Sequence, residues 1–280
     1  MSKTTFQQVE VERVRDFWDS RPCNIRHSPK EVGTREYFDD VETRKYFVEP
    51  HIPLFAEFER WRGKRVLEIG CGIGTDTIGF ARHGAFVTAV ELSKNSMEIA
   101  QKRARVYGFE NQIQFVNGNA ERLTEFLSPQ TYDLVYSFGV IHHTPNPENV
   151  LQQIRQYMNT NSLLRIMVYH RFSWKVFAIL LSYGKGMFWN ADEIIARYSE
   201  AQSGCPVTYT YSSKSAAQML ERHGFQVKEI HIDHIFPYRI PDYVQHRYVK
   251  VWPIRWMPRP LFRSLEHKLG WHLCLSASLG

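Results

Sequence analysis

Val66-Leu67-Glu68-Ile69-Gly70-Cys71-Gly72-Ile73-Gly74 decides the fold of this chain. A short, branched apolar run suits a strand buried on both faces, and the alternate glycines that follow force a turn. Without a Cβ, such a turn lets the backbone approach a ligand closely. In an open α/β sheet it faces the crevice beyond the strand ends, where ligands bind.

Working outward, apolar runs alternate with helical patterns, the rhythm of a parallel sheet flanked by helices. Strands are predicted near Arg65–Ile69, Phe86–Val90, Ile113–Val116, Tyr132–Tyr136 and Leu163–Val168. Helices are predicted near Asp76–His83, Ser93–Tyr107, Ala120–Phe126 and Pro147–Tyr157. Ser93 suits an N-cap, and Gly84 and Gly108 suit the left-handed stops of two helices. Beyond Val168 the rhythm changes. Helices and loops are expected over 169–210, then a helix near Lys214–His223, a sixth strand over Phe225–Ile235 and a seventh over Trp271–Ala277. The resulting division is a helical cap or lid over 1–62, a cofactor-binding core over 63–170, an insertion lining the acceptor site over 171–210, and a C-terminal part over 211–280. The last part carries an aromatic, basic insertion at 236–269.

Glu91 closes the second strand, followed by Leu92, and a carboxylate there can accept from both hydroxyls of a ribose. Two ligand types remain, a dinucleotide or an adenosyl sulfonium. The dinucleotide fingerprint G-x-G-x-x-G would need glycine where Thr75 stands. Instead Glu68, Gly70, Gly72 and Gly74 make E-x-G-x-G-x-G, which resembles the first motif of class I S-adenosylmethionine-dependent methyltransferases.

The resemblance continues in register over about seventy-five residues, with Glu91 at the ribose-binding acid. Asn119-Ala120 matches the adenine contact, although most relatives have aspartate at the first position. Tyr132 to His143 matches the fourth-strand motif, whose end, with Ser137 and Phe138, lies beside the methionine part of the cofactor. The resemblance implies a Rossmann-like, mostly parallel seven-stranded sheet with helices on both faces, and S-adenosyl-L-methionine as cofactor.

Methyl transfer from a sulfonium is an in-line displacement, so the protein positions the acceptor and manages its proton. His143 and His142 stand at the fourth-strand end, where a base for a hydroxyl acceptor is needed, and His143 is the preferred candidate. The pair looks like that of small-molecule O-methyltransferases. Tyr169, His170 and Arg171 end the fifth strand and are candidates for the acceptor pocket, with Arg171 suited to an acidic group. Trp18 and Tyr37 are candidates from the N-terminal cap, and the stretch Ser182–Trp189 is a further candidate wall. Ser137-Phe138-Gly139-Val140 replaces the Asn/Asp-Pro-Pro-Tyr sequence of amide- and base-directed enzymes. No metal is expected: strand alternation puts His231 and Asp233 on one face and His234 on the other.

The chain has 280 residues, 43% of them hydrophobic and 23% charged, an ordinary balance for a globular core. The longest apolar candidate, Val176–Leu181, is too short to span a bilayer. The polar N-terminus lacks a signal-peptide core, and the four cysteines have no paired spacing, so a reducing cytoplasm is expected. Of the net charge of +6, a surplus of five lies between Arg239 and His272. There seven basic residues face Asp242 and Glu266 among Trp252, Trp256, Phe262 and Trp271. Such interleaving suits a solvated face or weak peripheral membrane contact over 239–272. The expected partner is a small-molecule acceptor. A membrane-held lipid, quinone or lipid-linked sugar is the alternative, and an RNA-modifying protein a third reading. Nucleic acid is not expected, since no RNA-binding domain is appended, and oligomeric state is not encoded in any motif.

Overall fold

β1 (Arg65–Ile69) is strand because Val66, Leu67 and Ile69 bury on both faces, so a parallel neighbour covers each edge and helices cover each face. The computed structural model describes residues 6–184, 191–200 and 204–280. In it β1 pairs in parallel with β2 (Phe86–Glu91) on one side and β4 (Leu134–Phe138) on the other. β3 (Ile113–Asn117) lies outside β2, and β5 (Leu163–Tyr169) lies outside β4. β7 (His272–Leu279) then inserts antiparallel between β5 and β6 (Phe225–Asp233), giving the order 3-2-1-4-5-7-6. The order reverses at β1, so the crevice opens beside the glycine turn.

α4 (Thr75–Arg82) follows that turn, and α5 (Lys94–Tyr107) follows β2. Ser93 caps α5 by accepting from the Ser96 amide at 3.0 Å, and Gly108 stops it at φ +75°. α6 (Pro147–Arg155) presents Val150, Leu151 and Ile154 to the sheet, and α9 (Ser213–Arg222) presents Ala216, Met219 and Leu220.

Several boundaries differ from the sequence expectation. β4 runs two residues later than Tyr132–Tyr136, because Ser137 and Phe138 still pair with Ile166 and Met167. The stretch Ala120–Glu125 is 3-10 rather than α: Arg122 leaves helical geometry at φ −135°, and Asn119 caps the Glu121 amide at 2.9 Å. β6 stops at Asp233 because His234 takes a left-handed φ of +71°.

Before β1 come α1 (Val11–Ser20), α2 (Arg35–Val48) and α3 (His51–Ala56). Asp19 at the end of α1 accepts from the Ser93 hydroxyl at 2.7 Å and the Asn95 amide at 3.1 Å, tying it to the α5 N-terminus. The fully buried Arg103 on α5 donates to Thr75, to the Phe38 carbonyl and to Glu42, pinning α2 against the core. A buried cation is tolerated only when so partnered.

Between β5 and α9 lie α7 (Trp174–Tyr183) and α8 (Ala191–Ser199). Between β6 and β7 lie α10 (Ile240–Val244), α11 (Trp252–Arg255) and α12 (Arg259–Leu269). Among the described residues no helix is long and apolar enough to cross a membrane.

Candidate active site

The C-terminal ends of β1, β2, β4 and β5, with α1 and α2, enclose a cavity of about 350 Å³, within the range of small-molecule sites. The glycine turn forms one wall. At Gly70, φ is +78° and an added Cβ would come 2.1 Å from the Val140 side chain, so only glycine fits. At Gly72, φ is +54° and nothing lies within 4 Å of a Cβ position, leaving open space on the cavity side for a ligand.

Glu91 carries the next wall. One carboxylate oxygen accepts from the Gly72 amide and the other from the Ser93 amide, each at 2.8 Å. Burial raises its carboxyl, while those amides favour the charged form. Leu92, Asn119, Ala120 and Phe138 also line the cavity. The Asn119 oxygen is engaged by the Glu121 amide, which leaves its NH₂ as the group able to meet an adenine edge.

Three other sequence candidates stand one layer behind. Glu68 accepts from the Thr77 hydroxyl at 2.5 Å, and burial pushes its carboxyl up to about 8. The Ser137 hydroxyl donates to the Ile69 carbonyl at 3.1 Å. Gly74, at φ +77°, allows α5 to approach: a Cβ there would lie 3.0 Å from that of Ala100. None of the three is on the cavity wall.

The two histidines separate. His143 lines the cavity, whereas His142 is sealed behind it, its ring centroid 3.8 Å from that of Tyr169. Burial drives the His142 imidazole well below its ordinary range, and neither of its ring nitrogens has a hydrogen-bond partner among the described residues. His143 Nδ1 meets the Val207 carbonyl at 2.8 Å. A carbonyl only accepts, so Nδ1 carries a hydrogen, and Nε2, the nitrogen that gains or loses the titrating proton, has no partner among the described residues. Burial works to lower this imidazole, but the Cys205 sulfur at 3.5 Å, Glu200 and the Val207 carbonyl outweigh it and push it up to about 9.

Trp18 and Tyr169 reach the cavity; Trp18 packs edge-on to His143 at 5.2 Å, and the Tyr169 hydroxyl donates to Glu200 at 2.8 Å. The other acceptor-site candidates are not brought to it. Tyr37 is fully buried among Phe38, Val41 and Ile73, its hydroxyl donating to the Ile25 carbonyl, because its helical stripe is core packing. The His170 Nδ1 contacts the Gly270 carbonyl at 3.1 Å, and Arg171 lies 3.8 Å from Asp192. Neither residue lines the cavity. Of the candidate wall Ser182–Trp189, residues 185–189 lie outside the described residues.

Sequence reasoning missed a polar end of the cavity. Lys45 and Glu49 come from the end of α2, Lys175 from α7, Glu200 from the chain after α8, and His234 and His272 from the margins of β6 and β7. Lys45 pairs with Asp76 at 2.6 Å, and the Lys175 ammonium sits 4.4 Å over the Trp271 ring. Burial pushes the Glu49 carboxyl up to about 7, holds His234 down to about 3 and keeps His272 well below its usual range. No local spacing announces these groups.

The family described as "Methyltransferase domain" matches residues 41–230, more than half of the chain. The chain belongs to that family. Among curated proteins, this methyltransferase domain is similar to the ubiquinone biosynthesis O-methyltransferase of Vibrio cholerae serotype O1. The two are 36% identical over 90 residues, 32% of this chain and 36% of that protein. The mitochondrial enzyme of the same description from Schizosaccharomyces pombe is 32% identical over 112 residues, 40% of each chain. The matches thus span little more than a third of those relatives.

Among solved structures, the magnesium protoporphyrin IX methyltransferase of Synechocystis PCC 6803 with bound SAH aligns with TM-score 0.61 at 14% identity. It covers 97% of this chain and all of that one. The cyclase SpnF aligns with TM-score 0.55 at 15% identity, covering 98% of this chain and 96% of that one. These likenesses show the seven-stranded fold alone, and a cyclase among them shows that the fold by itself does not fix the reaction.

Proposed function

We propose that this methyltransferase domain uses S-adenosylmethionine to methylate a hydroxyl oxygen of a small-molecule acceptor, with His143 as general base. The observation that carries the reading is the His143 ring. Its Nδ1 is fixed on the Val207 carbonyl, its Nε2 is buried and has no partner among the described residues, and the residue lines the cavity. The ubiquinone-biosynthesis relatives, described as O-methyltransferases, support oxygen as the attacking atom.

The cavity fits an adenosyl ligand: Gly72 leaves room beside the backbone, and Glu91 presents a carboxylate at the end of β2. Bound there, S-adenosylmethionine supplies an activated methyl whose bond to sulfur breaks as the bond to the acceptor oxygen forms. Glu91 holds the ribose, Asn119 and Ala120 meet the adenine, and Leu92 and Phe138 shield the ligand from water. His143 Nε2 takes the hydroxyl proton, and Tyr169 and Trp18 shape the space in which the acceptor lies.

The raised His143 gives the pH dependence a direction. A base acts in its neutral form, so a group titrating near 9 is mostly protonated at neutral pH. The value of kcat/KM should rise roughly tenfold per pH unit from neutrality and level off near pH 9. Cys205→Ala removes a raising cause, so its profile should level off at lower pH. Identical profiles in both proteins would remove His143 as the titrating base.

Methyl-labelled S-adenosylmethionine incubated with the protein and a cell extract tests the reaction. Label released from polar small molecules by ether cleavage supports the proposal; label confined to RNA or protein overturns the acceptor class.

A second reading places the acceptor in a membrane, favoured by one exposed surface. Trp252 and Trp256 are 77% and 73% exposed, and Ile240 and Val244 in the same stretch between β6 and β7 are 60% and 68% exposed. Lys250, Arg259 and Lys268 form no ion pair in the same region among the described residues. Tryptophans with unpaired cations suit an anionic lipid surface. Sedimentation with phosphatidylglycerol vesicles should then carry the protein down at low salt and release it at high salt. A Trp252→Ala/Trp256→Ala variant should stay in solution, and no sedimentation of the parent at low salt removes this reading.

A further inference from the structure

We infer that Glu49, His234 and His272 form a binding site for a divalent first-row transition metal, with open coordination positions facing the acceptor side of the cavity. The proposal deepens the reading of that cavity as an acceptor chamber and rests on it for the metal's role, though not for metal binding itself.

One ligand atom from each residue lies within 4.8 Å of the other two. His272 Nε2 and Glu49 Oε1 are 3.6 Å apart, close to the edge of about 3.3 Å that a tetrahedron with bonds of about 2.0–2.1 Å requires. The His234 ring stacks beside that of His272 with centroids 4.6 Å apart, so a modest inward shift closes the set.

An outer layer already orients the central ligand. His51 Nε2 meets His272 Nδ1 at 2.8 Å, and His51 Nδ1 lies 4.0 Å from Asp233. With His272 Nδ1–H donating to His51, the His272 Nε2 lone pair points toward Glu49. A metal-ligating histidine is commonly fixed in this way, by a partner on its other nitrogen.

His234 supplies an independent observation. Its backbone is held at φ +71° by two contacts: its amide donates to Asp233 at 2.9 Å, and its carbonyl accepts from the Trp271 amide at 2.8 Å. A non-glycine residue kept in the left-handed region by such over-determination marks positions where ring placement matters. Here the turn takes the ring out of the β6 alternation and into the cavity.

The set lies next to the methyl-transfer chamber. His272 packs edge-on to Phe138 at 5.5 Å, and all three ligand residues line the same cavity as Glu91 and Gly72. Three protein ligands leave positions for water or substrate, the pattern of a catalytic rather than a structural centre. Imidazole with one carboxylate suits zinc or iron better than magnesium. Lys175 shares this end of the cavity, and its charge is offset by Glu200 as well as Glu49. The acceptor this site would take carries a second oxygen or nitrogen donor besides the methylated hydroxyl, so the metal can hold it while His143 faces the hydroxyl.

The test adds cobalt(II) to chelator-treated full-length protein and follows visible absorption. The expected result is saturation at one ion per chain. Affinity should fall at least tenfold in His272→Ala and in Glu49→Gln, and stay unchanged in His231→Ala, which alters an exposed histidine outside the set. Melting temperature and S-adenosylhomocysteine binding, read on the same samples, establish that each variant is folded. If His272→Ala does not fold, Glu49→Gln, on a half-buried side chain, decides. Absence of saturable absorption, or equal affinity in parent and Glu49→Gln, overturns the site. Full methyl transfer by metal-free protein overturns the role given to it and leaves the function standing. Cobalt binding without methyl transfer to any acceptor supports the site and removes the function.

Discussion

Replacing His143 with alanine is expected to lower kcat by about 10²–10⁴-fold, the usual contribution of a positioned general base, with S-adenosylhomocysteine affinity within a few-fold of the parent. The ring's Nε2 is buried without a partner among the described residues, and the ring's Nδ1 meets groups on the chain around Cys205 and Val207 rather than the glycine turn. Removing it therefore takes away a proton acceptor without disturbing Gly70, Gly72 or Glu91. His143→Gln separates chemistry from packing, since an amide fills much of the space but cannot take the proton. Both variants should lose kcat alike, with KM little changed. A His143→Gln enzyme with parental kcat would show that the ring only packs.

Glu91→Ala should weaken S-adenosylhomocysteine binding by about 100-fold or more in calorimetry. Hydrogen bonds to a charged group are worth about 1.5–3 kcal/mol each, and this carboxylate would serve two ribose hydroxyls. It also accepts from the Gly72 and Ser93 amides, so its loss loosens the turn as well as the ribose contact. Glu91→Gln keeps the shape and one accepting oxygen, and its loss should be nearer tenfold. Parental affinity in both variants would move the adenosyl group away from the end of β2.

How much of this was legible follows from the range of the interactions involved. β1 and its turn are written locally, because apolar run and glycines are contiguous and Gly70 has no alternative beside Val140. Ser93, Gly108 and the existence of the two closing strands were also readable, since caps and apolar runs act over a few residues, whereas their antiparallel direction came only with the fold. Boundaries failed where a side chain or a single dihedral overrode the pattern, as at Arg122 and His234. Tyr37 failed for a different reason. A helical stripe has the same spacing whether it faces a core or a ligand, and only the packing of α2 against Ile73 decides between them.

The histidines mark the limit most clearly. The sequence placed His142 and His143 side by side at the end of the fourth strand, but adjacent residues in a turn point differently, and the partner that fixes His143 comes from Val207. Glu49, His51, His234 and His272 belong to segments that no periodicity links, and they meet because β7 inserts beside β5 and brings its first residue against the end of α2. By itself, then, the sequence determined the strands of the sheet, the glycine turn and the carboxylate that closes β2, all of which are written in short contiguous stretches of the chain. The tertiary structure alone decided which histidine faces the cavity and what lines its polar end, because burial and pairing across distant segments exist only once the chain has folded.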